Sequence, residues 1–298
     1  MKPLPRGGRT TLLTAALVVA GLFAGLWTFR RELLAFFILR DQFERLPHNE
    51  QGYAEYRHRA TGIVFVRLPG GTFLMGSGKE ERQHDNPFIS DPTLGLPEYF
   101  VDEEPRHVVT VSPFLIAKYE VSQTQWANVM GTNPSHVKGE DHPVEWVTWD
   151  ECLDFCRRTG LSLPTEAQWE YACRAGTSGP YGGSGLLEEM GWGGKTAAKG
   201  GHRPVGQKKA NGFGLHDMHG NVSEWVEDVM DEAFYSRPEA LGLDPVCTTT
   251  SPERPDCGRV ARGGGTHHAL FCRSAVRVSY QTDTRSADLG FRPAFNLR

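Results

Sequence analysis

The chain has 298 residues, and its hydrophobic fraction of 39% is ordinary for a globular protein with an apolar core. The net charge of -4 disfavours a nucleic-acid partner, because proteins that bind phosphate backbones carry a basic patch. The 34 glycines and 19 prolines predict short helices and strands joined by many turns, and they exclude a long helical bundle.

An uncharged apolar run, Thr10–Phe29, lies near the N-terminus. A helix of this length spans about 30 Å, which is the thickness of a bilayer's hydrocarbon core. Basic residues precede the run, as in a secretory signal, but no A-x-A cleavage site follows it, so an uncleaved signal-anchor is favoured over a removed peptide. Arg30 and Arg31 flank the other end, so charge gives only a weak orientation. We expect the domain that follows to be periplasmic or otherwise extracytoplasmic.

Four segments follow from this reading. They are a charged tail (1–9), a transmembrane anchor (10–29), a helical and polar linker (30–58) and one folded domain (59–298). The sequence does not indicate an oligomeric state.

The first elements of the domain are predicted strands. Gly62–Arg67 and Gly71–Met75 are short β-like runs, and the intervening Pro69-Gly70 is typical of a hairpin turn. His107–Glu120 is a further predicted strand, interrupted at Ser112-Pro113.

Three short helices follow, and each is predicted from a capping box. In this motif a hydroxyl caps the helix N-terminus and an amide or acid three residues later reaches back to it. The three pairs are Ser122 with Gln125, Thr148 with Glu151, and Thr165 with Gln168. The second and third helices are expected to end near Gly160 and Gly176. With Arg273–Val278 and Phe291–Phe295 as candidate strands, the pattern predicts a loop-rich α+β domain.

The six cysteines show no C-x-x-C spacing for zinc or redox chemistry. They are compatible with disulfides in an oxidising compartment, and a bridge between Cys247 and Cys257 would staple a polar, proline-containing loop. The alternative is reduced thiols in a cytoplasmic protein.

Seven motifs occur in order over most of the domain. They are Pro69–Gly76 (PGGTFLMG), Tyr119–Ser122 (YEVS), His142–Val144 (HPV), Leu163–Tyr171 (LPTEAQWEY), Gly220–Trp225 (GNVSEW), Arg262–Gly264 (RGG) and Leu289–Arg292 (LGFR). This series resembles the formylglycine-generating enzyme family, also called the sulfatase-modifying factor family. The resemblance implies an elaborated C-type-lectin-like fold.

The best-known enzymes of that family oxidise a cysteine of unfolded sulfatases to formylglycine. The resemblance implies a copper ion held by two cysteines on the segment after Arg-Gly-Gly, because soft thiolates select Cu(I). In this chain that segment, Gly263–Arg277, is shorter and contains one cysteine, Cys272. Aligned from its front, His268 takes the place of the first copper cysteine. The catalytic pair is therefore not intact.

Two interpretations of Cys272 remain open. It could form a mixed nitrogen and sulfur metal site with His267 and His268, since imidazole and thiolate both bind copper, zinc or iron. The favoured interpretation is structural. On a strand Cys272 would share a face with Ser274, where the family places a cysteine bridged to the counterpart of Cys173, so the resemblance makes a Cys173–Cys272 disulfide feasible.

The resemblance also implies calcium. The segment from Asp217 to Glu224 is similar to a loop in which the family binds Ca²⁺ through a side chain, two backbone carbonyls and a glutamate, which here are Asp217, Gly220, Val222 and Glu224. The alternative is a loop closed by ordinary hydrogen bonds.

The remaining polar and aromatic candidates are interpreted conservatively. Four arginines near the C-terminus are predicted to be buried ion-pair partners and not an anion site; they are Arg273, Arg277, Arg285 and Arg292. Of the tryptophans, Trp192 is the candidate for exposure because glycines surround it.

Two functional classes are compatible with these features. One is a membrane-anchored binding module that has diverged from copper chemistry and holds a peptide, glycan or protein ligand. The other is an active metal-dependent oxidase of the formylglycine-generating type. Whether the protein is an enzyme is left open, because fold alone does not decide function.

Overall fold

A computed structural model describes residues 38–78, 81, 100–194, 201–249, 257–266 and 269–297. Residues Arg45–Leu297 form one compact unit. The predicted anchor, 10–29, lies outside the described residues, and no helix within them is long and apolar enough to cross a membrane.

Fourteen strands and four α-helices have both ends within the described residues. The strands are β1 (Phe43–His48), β2 (Ala54–His58), β3 (Val64–Leu68), β4 (Gly71–Met75), β5 (His107–Val111), β6 (Phe114–Ala117), β7 (Gly191–Trp192), β8 (His219–Gly220), β9 (Ser223–Val229), β10 (Gly242–Leu243), β11 (Arg259–Arg262), β12 (Val278–Tyr280), β13 (Leu289–Gly290) and β14 (Ala294–Asn296). The helices are α1 (Gln123–Met130), α2 (Trp149–Thr159), α3 (Glu166–Arg174) and α4 (Leu187–Met190).

The strands form a five-stranded sheet, β1-β2-β3-β6-β14, a four-stranded sheet, β12-β11-β9-β13, a three-stranded sheet, β10-β5-β4, and the pair β7-β8. The predicted strands before residue 120 are confirmed, including the break at Ser112-Pro113. The predicted hairpin is wrong, because β3 pairs with β2 and β6 whereas β4 pairs with β5. Gly70 and Gly71 have φ values of 71° and 144°, and this backbone carries the chain from one sheet to the other.

All three predicted capping boxes are present. Helix α2 ends at Gly160, whose φ of 72° is the left-handed conformation expected of a C-cap. Helix α3 ends one residue before the predicted glycine, at Ala175, which itself adopts φ 44°.

The C-terminal strands are shorter than the sequence predicted. Within Arg273–Val278 only Val278 is in a strand, and within Phe291–Phe295 the strand begins at Ala294. Arg273 and Arg277 point into the interior, where each meets a buried carboxylate. This pairing, and not a sheet ladder, fixes the backbone here.

Helix α3 lies at the centre of the domain, and all nine of its residues are buried. It packs against β4, β5, β9 and β11. Trp169 fills the apolar core, whereas Glu166, Glu170 and Arg174 bring charges into the same interior. Because buried charges require partners, this helix organises the ionic contacts around which the candidate sites are built.

Candidate functional site

Cys272 ends a short 3-10 helix, Ala269–Cys272, and does not lie on the strand that the sequence predicted. Its side chain is fully buried, and its Sγ lies 3.5 Å from the Gly265 carbonyl oxygen. Gly193 packs so closely that an added methyl group would collide with this sulfur. Burial raises the pKa of the Cys272 thiol to about 12, so the group is a neutral thiol at ordinary pH.

The predicted Cys173–Cys272 disulfide is not formed. All six cysteines lie in the described part of the chain, and none is disulfide-bonded, which also excludes the predicted bridge between Cys247 and Cys257 in this structure. The Cys173 Sγ instead lies 3.7 Å from the Met218 carbonyl oxygen, and Ser274, at the position where the resemblance placed a bridging cysteine, donates to the Pro180 carbonyl oxygen at 3.1 Å.

His219 lies between the Cys173 thiol and the Cys272 backbone, and the sequence analysis assigned it no role. Its Nε2 accepts a hydrogen bond of 2.8 Å from the Gly182 N–H, so its Nδ1 carries the proton and donates to the Cys272 carbonyl oxygen at 2.8 Å. The Cys173 Sγ lies 3.7 Å from Nε2. Burial lowers the pKa of His219 to about 4, so the ring is neutral and fixes the backbone of Cys272.

His267 and His268 lie outside the described residues, so the mixed metal site with Cys272 stays a prediction. Within the described residues, no three His, Cys, Asp or Glu side chains are arranged to hold a metal ion. A copper ion held by two thiolates does not fit the described residues of this segment, because they contain one thiol and it is buried against the Gly265 carbonyl.

The predicted calcium loop meets a second cluster of buried charges. Both carboxylate oxygens of Glu224 are engaged, since Oε2 accepts from Trp169 Nε1 and Arg292 Nε, each at 2.7 Å, and Oε1 accepts from Arg292 Nη2 at 2.6 Å. Glu120, which the sequence did not single out, accepts from the Asn221 side chain and from the Val222 N–H. Two donors therefore occupy Glu224 Oε2, whereas Oε1 accepts one and keeps a second lone pair.

Asp217 is the member of this cluster with an unused ligand atom. Its Oδ2 accepts a 2.6 Å hydrogen bond from the Gly206 N–H, while its buried Oδ1 has no hydrogen-bond partner among the described residues. Burial raises the pKa of Asp217 to about 6, and burial together with the neighbouring charge of Asp217 raises the pKa of Glu120. A cation beside Asp217 Oδ1 would offset the free-energy cost of keeping these buried carboxylates ionised.

The balance of buried charges also favours a cation beside Asp217. Glu120, Asp217 and Glu224 interact electrostatically with a single buried guanidinium, that of Arg292. The predicted ligands Gly220 and Val222 lie in the same tight loop, in which Gly220 has a φ of 101°. The donor set is one of oxygen atoms, which suits Ca²⁺.

The predictions for the arginines are confirmed for Arg273, Arg277 and Arg292, which form buried ion pairs, and are wrong for Arg285, whose pair is exposed. Arg273 forms a two-point ion pair with Glu103, and Arg277 forms one with Glu166; all four side chains are buried. Arg285 pairs with Glu151 at the surface. Trp192 is half-buried, and the Lys208 Nζ lies 4.2 Å from the centroid of its ring.

Two solved structures share this fold. PvdO from Pseudomonas aeruginosa superposes with a TM-score of 0.61 at 25% identity, covering 79% of this chain and 95% of that one. Treponema denticola variable protein 1 superposes with a TM-score of 0.59 at 24% identity, covering 80% of this chain and 97% of that one.

Three curated relatives cover most of the domain. The formylglycine-generating enzyme of Streptomyces coelicolor is 30% identical over 77% of this chain and 88% of its own length. The formylglycine-generating enzyme of Mycobacterium tuberculosis is 32% identical over 76% of this chain and 96% of its own length. A mouse relative named inactive C-alpha-formylglycine-generating enzyme 2 is 28% identical over 78% of this chain and 85% of its own length. The family model described as the sulfatase-modifying factor enzyme 1-like domain matches residues 50–297, and the chain therefore belongs to this family.

Proposed function

We propose that this protein is a membrane-anchored member of the family that has lost copper-dependent oxidation of cysteine to formylglycine. In its place, the domain acts as a calcium-stabilised module that binds a peptide, glycan or protein ligand. The observation that carries the proposal is the state of Cys272, which is a single, fully buried thiol held against the Gly265 carbonyl.

The chemistry of Cu(I) explains why this observation matters. Copper(I) binds the thiolate form, and burial raises the pKa of this thiol to about 12, so the metal would have to displace a firmly held proton from an enclosed side chain. No second cysteine lies between Arg262 and Arg277 to share the ion. An imidazole such as that of His268 donates less charge to the metal than a thiolate does, so it would not restore the same site.

The family itself offers a precedent for divergence. One relative that aligns with 78% of this chain is named inactive, whereas two bacterial relatives at about the same identity are named formylglycine-generating enzyme without that qualifier. Overall identity therefore does not separate the two names, and the proposal depends instead on the single cysteine after Arg262 in this chain.

Calcium is the stabilising ion in this proposal because a cation would neutralise the buried carboxylates. The Asp217 Oδ1 atom is directed into the interior without a described donor, and Glu120 beside it carries a raised pKa. A divalent cation in the loop would satisfy both carboxylates and order the segment Gly220–Val222.

The oxidation test uses the reduced full chain, loaded with Cu(I) and given a cysteine-containing sulfatase peptide under air. The peptide mass is followed, and the Streptomyces coelicolor enzyme is the positive control. We expect no formylglycine from this chain while the control converts the peptide. Turnover that disappears in Cys272→Ala would overturn the proposal and establish the alternative, a metal-dependent oxidase with one cysteine.

The binding function has its own test. The full chain is applied to peptide and glycan arrays in calcium and again in a calcium chelator. We expect saturable binding to one of the two classes that weakens on chelation and in Asp217→Ala. Absence of binding to both arrays would count against a binding module, even if the oxidation test is negative.

A further inference from the structure

A cavity of about 360 Å³ opens on the outer side of helix α2, apart from the segment that carries Cys272. Trp149, Leu153 and Cys156 line one wall, and because they are spaced four and three residues apart they lie on one face of the helix. Leu161 and Leu163, from the segment after the helix, line the other wall. The volume is at the lower end of the range for small-molecule sites.

The walls are apolar and fixed before any ligand binds. The Trp149 Nε1 donates to the Val226 carbonyl oxygen at 2.8 Å, and the Arg259 guanidinium lies 3.9 Å from the centroid of the same indole. Arg259 is itself held by a 2.8 Å hydrogen bond to the Glu227 carbonyl. At the base of the cavity, burial raises the pKa of Cys156 to about 12, so this thiol contributes no negative charge.

The rim carries one loosely held cation. The Arg157 side chain is 73% exposed and lies 3.7 Å from Asp154, whose carboxylate makes a shorter contact of 2.7 Å with Arg158. Arg157 lines the cavity whereas its neighbour Arg158 does not. Arg259 is the second guanidinium that lines the opening, and it is balanced by Glu227 together with Asp228 and Asp150.

We propose that this cavity binds a small organic acid, with the apolar body against Trp149 and the two leucines and the carboxylate at Arg157. An apolar wall with a few charged groups at the opening is the usual composition of a ligand site. A guanidinium recognises a carboxylate through paired N–H donors. Because Asp154 lies 3.7 Å from Arg157 and makes its shorter contact with Arg158, a ligand carboxylate gains a partner at Arg157 that a neutral or cationic molecule of the same shape does not.

The test compares three probes that share one apolar body: 3-phenylpropanoate, 3-phenylpropan-1-ol and 3-phenylpropylamine. Each is titrated by calorimetry into the full chain in lipid nanodiscs, with empty nanodiscs as the blank. We expect the carboxylate to bind most tightly and the amine most weakly. Arg157→Glu should weaken carboxylate binding by about five- to ten-fold, while the matched variant Arg158→Glu leaves it within about two-fold.

A second variant tests the cavity itself. Leu153→Trp places a larger side chain in the cavity and should abolish binding of all three probes, provided that its melting curve shows a folded protein. The proposal is overturned by any of three results: no saturable binding below about 10 mM, a carboxylate that binds no better than the alcohol, or equal effects of Arg157→Glu and Arg158→Glu.

Discussion

Arg292 and Glu224 form a two-point ion pair in the interior of the domain. The Arg292 Nε and Nη2 atoms donate to the two carboxylate oxygens at 2.7 and 2.6 Å, and neither side chain is more than 1% exposed. Arg292 also donates to the backbone carbonyls of Ala117 and His216. It therefore joins β6, β9 and the predicted calcium loop, and it is the guanidinium beside Glu120 and Asp217.

Removal of Arg292 should destabilise the fold strongly. In Arg292→Met the Glu224 carboxylate remains buried without its partner, and breaking such a pair costs about 3–5 kcal/mol. Arg292→Lys should lie between this variant and the original protein, because an ammonium keeps the charge but not the two-point geometry. Urea denaturation measures the free energy of unfolding.

Arg285→Ala is the control for that comparison. Arg285 pairs with Glu151 at a distance of 2.7 Å, but the two side chains are 35% and 36% exposed. An exposed pair contributes about 0–1 kcal/mol. Equal losses in Arg292→Met and Arg285→Ala would show that the interior pair does not hold the domain together.

Calcium should raise the melting temperature through Asp217. A ligand present at 100 times its Kd and bound only by the folded state contributes about 2.7 kcal/mol, or roughly 5–10 °C for a domain of this size. Asp217→Ala should abolish the shift, while Asp150→Asn, at an exposed position, should retain it. If a chelator leaves the melting curve of the unmodified chain untouched, the loop is closed by hydrogen bonds and binds no calcium.

The calcium effect should also depend on pH. The folded pKa of Asp217 is raised to about 6 from an ordinary value of 3.8. Without metal, the stability that its protonation contributes is fully present below about pH 4 and is lost as the pH rises through 6. Calcium binds the ionised form, so the calcium-dependent increase in melting temperature should be small at pH 5 and full at pH 8. An increase of equal size at both values would assign the ion to another site.

The segment Thr10–Phe29 should hold the protein in a membrane with the domain outside the cytoplasm. A reporter that is active only in the periplasm should function when it is fused after Arg298, and a reporter that is active only in the cytoplasm should not. Deletion of residues 1–29 should release the protein from the membrane fraction. The reverse reporter pattern would reject the orientation and, with it, the expectation of an oxidising compartment.

The elements that could be predicted are those with local signals. A capping box needs only a hydroxyl and a residue three positions later, so the starts of α1, α2 and α3 were visible in the sequence. Pairing between distant segments was not visible. The Pro69-Gly70 turn has the composition of a hairpin, but β3 pairs with β2 and β6, which are distant in sequence or not adjacent through this turn, and β4 pairs with β5 in another sheet.

The residues of the candidate site also fall into those that a local sequence signal predicts and those that only the fold brings together. Asp217 and Glu224 lie in one short motif, and the sequence placed both in the predicted calcium loop. Glu120 contacts Val222 across 102 positions of the chain, so its role became visible only with the fold. The pattern of the C-terminal arginines predicted ion pairs but not their partners, since Glu103 lies 170 positions before Arg273.

The interpretation of Cys272 as an enclosed structural thiol predicts a fixed order of reaction with iodoacetamide. Cys257 is partly exposed, whereas Cys173 and Cys272 are fully buried, and burial raises the pKa of each of these two thiols to about 12. Alkylation requires access and the thiolate form. In the native chain at pH 7.5, mass spectrometry should find Cys257 modified first, and Cys173 and Cys272 modified only after denaturant is added. His219→Gln removes the ring that holds the Cys272 backbone, so it should speed alkylation of Cys272 more than that of Cys152, which is buried in α2.

Rapid modification of Cys272 in the unmodified native chain would show an accessible, ionised thiol and would reopen the assignment of this protein as an oxidase.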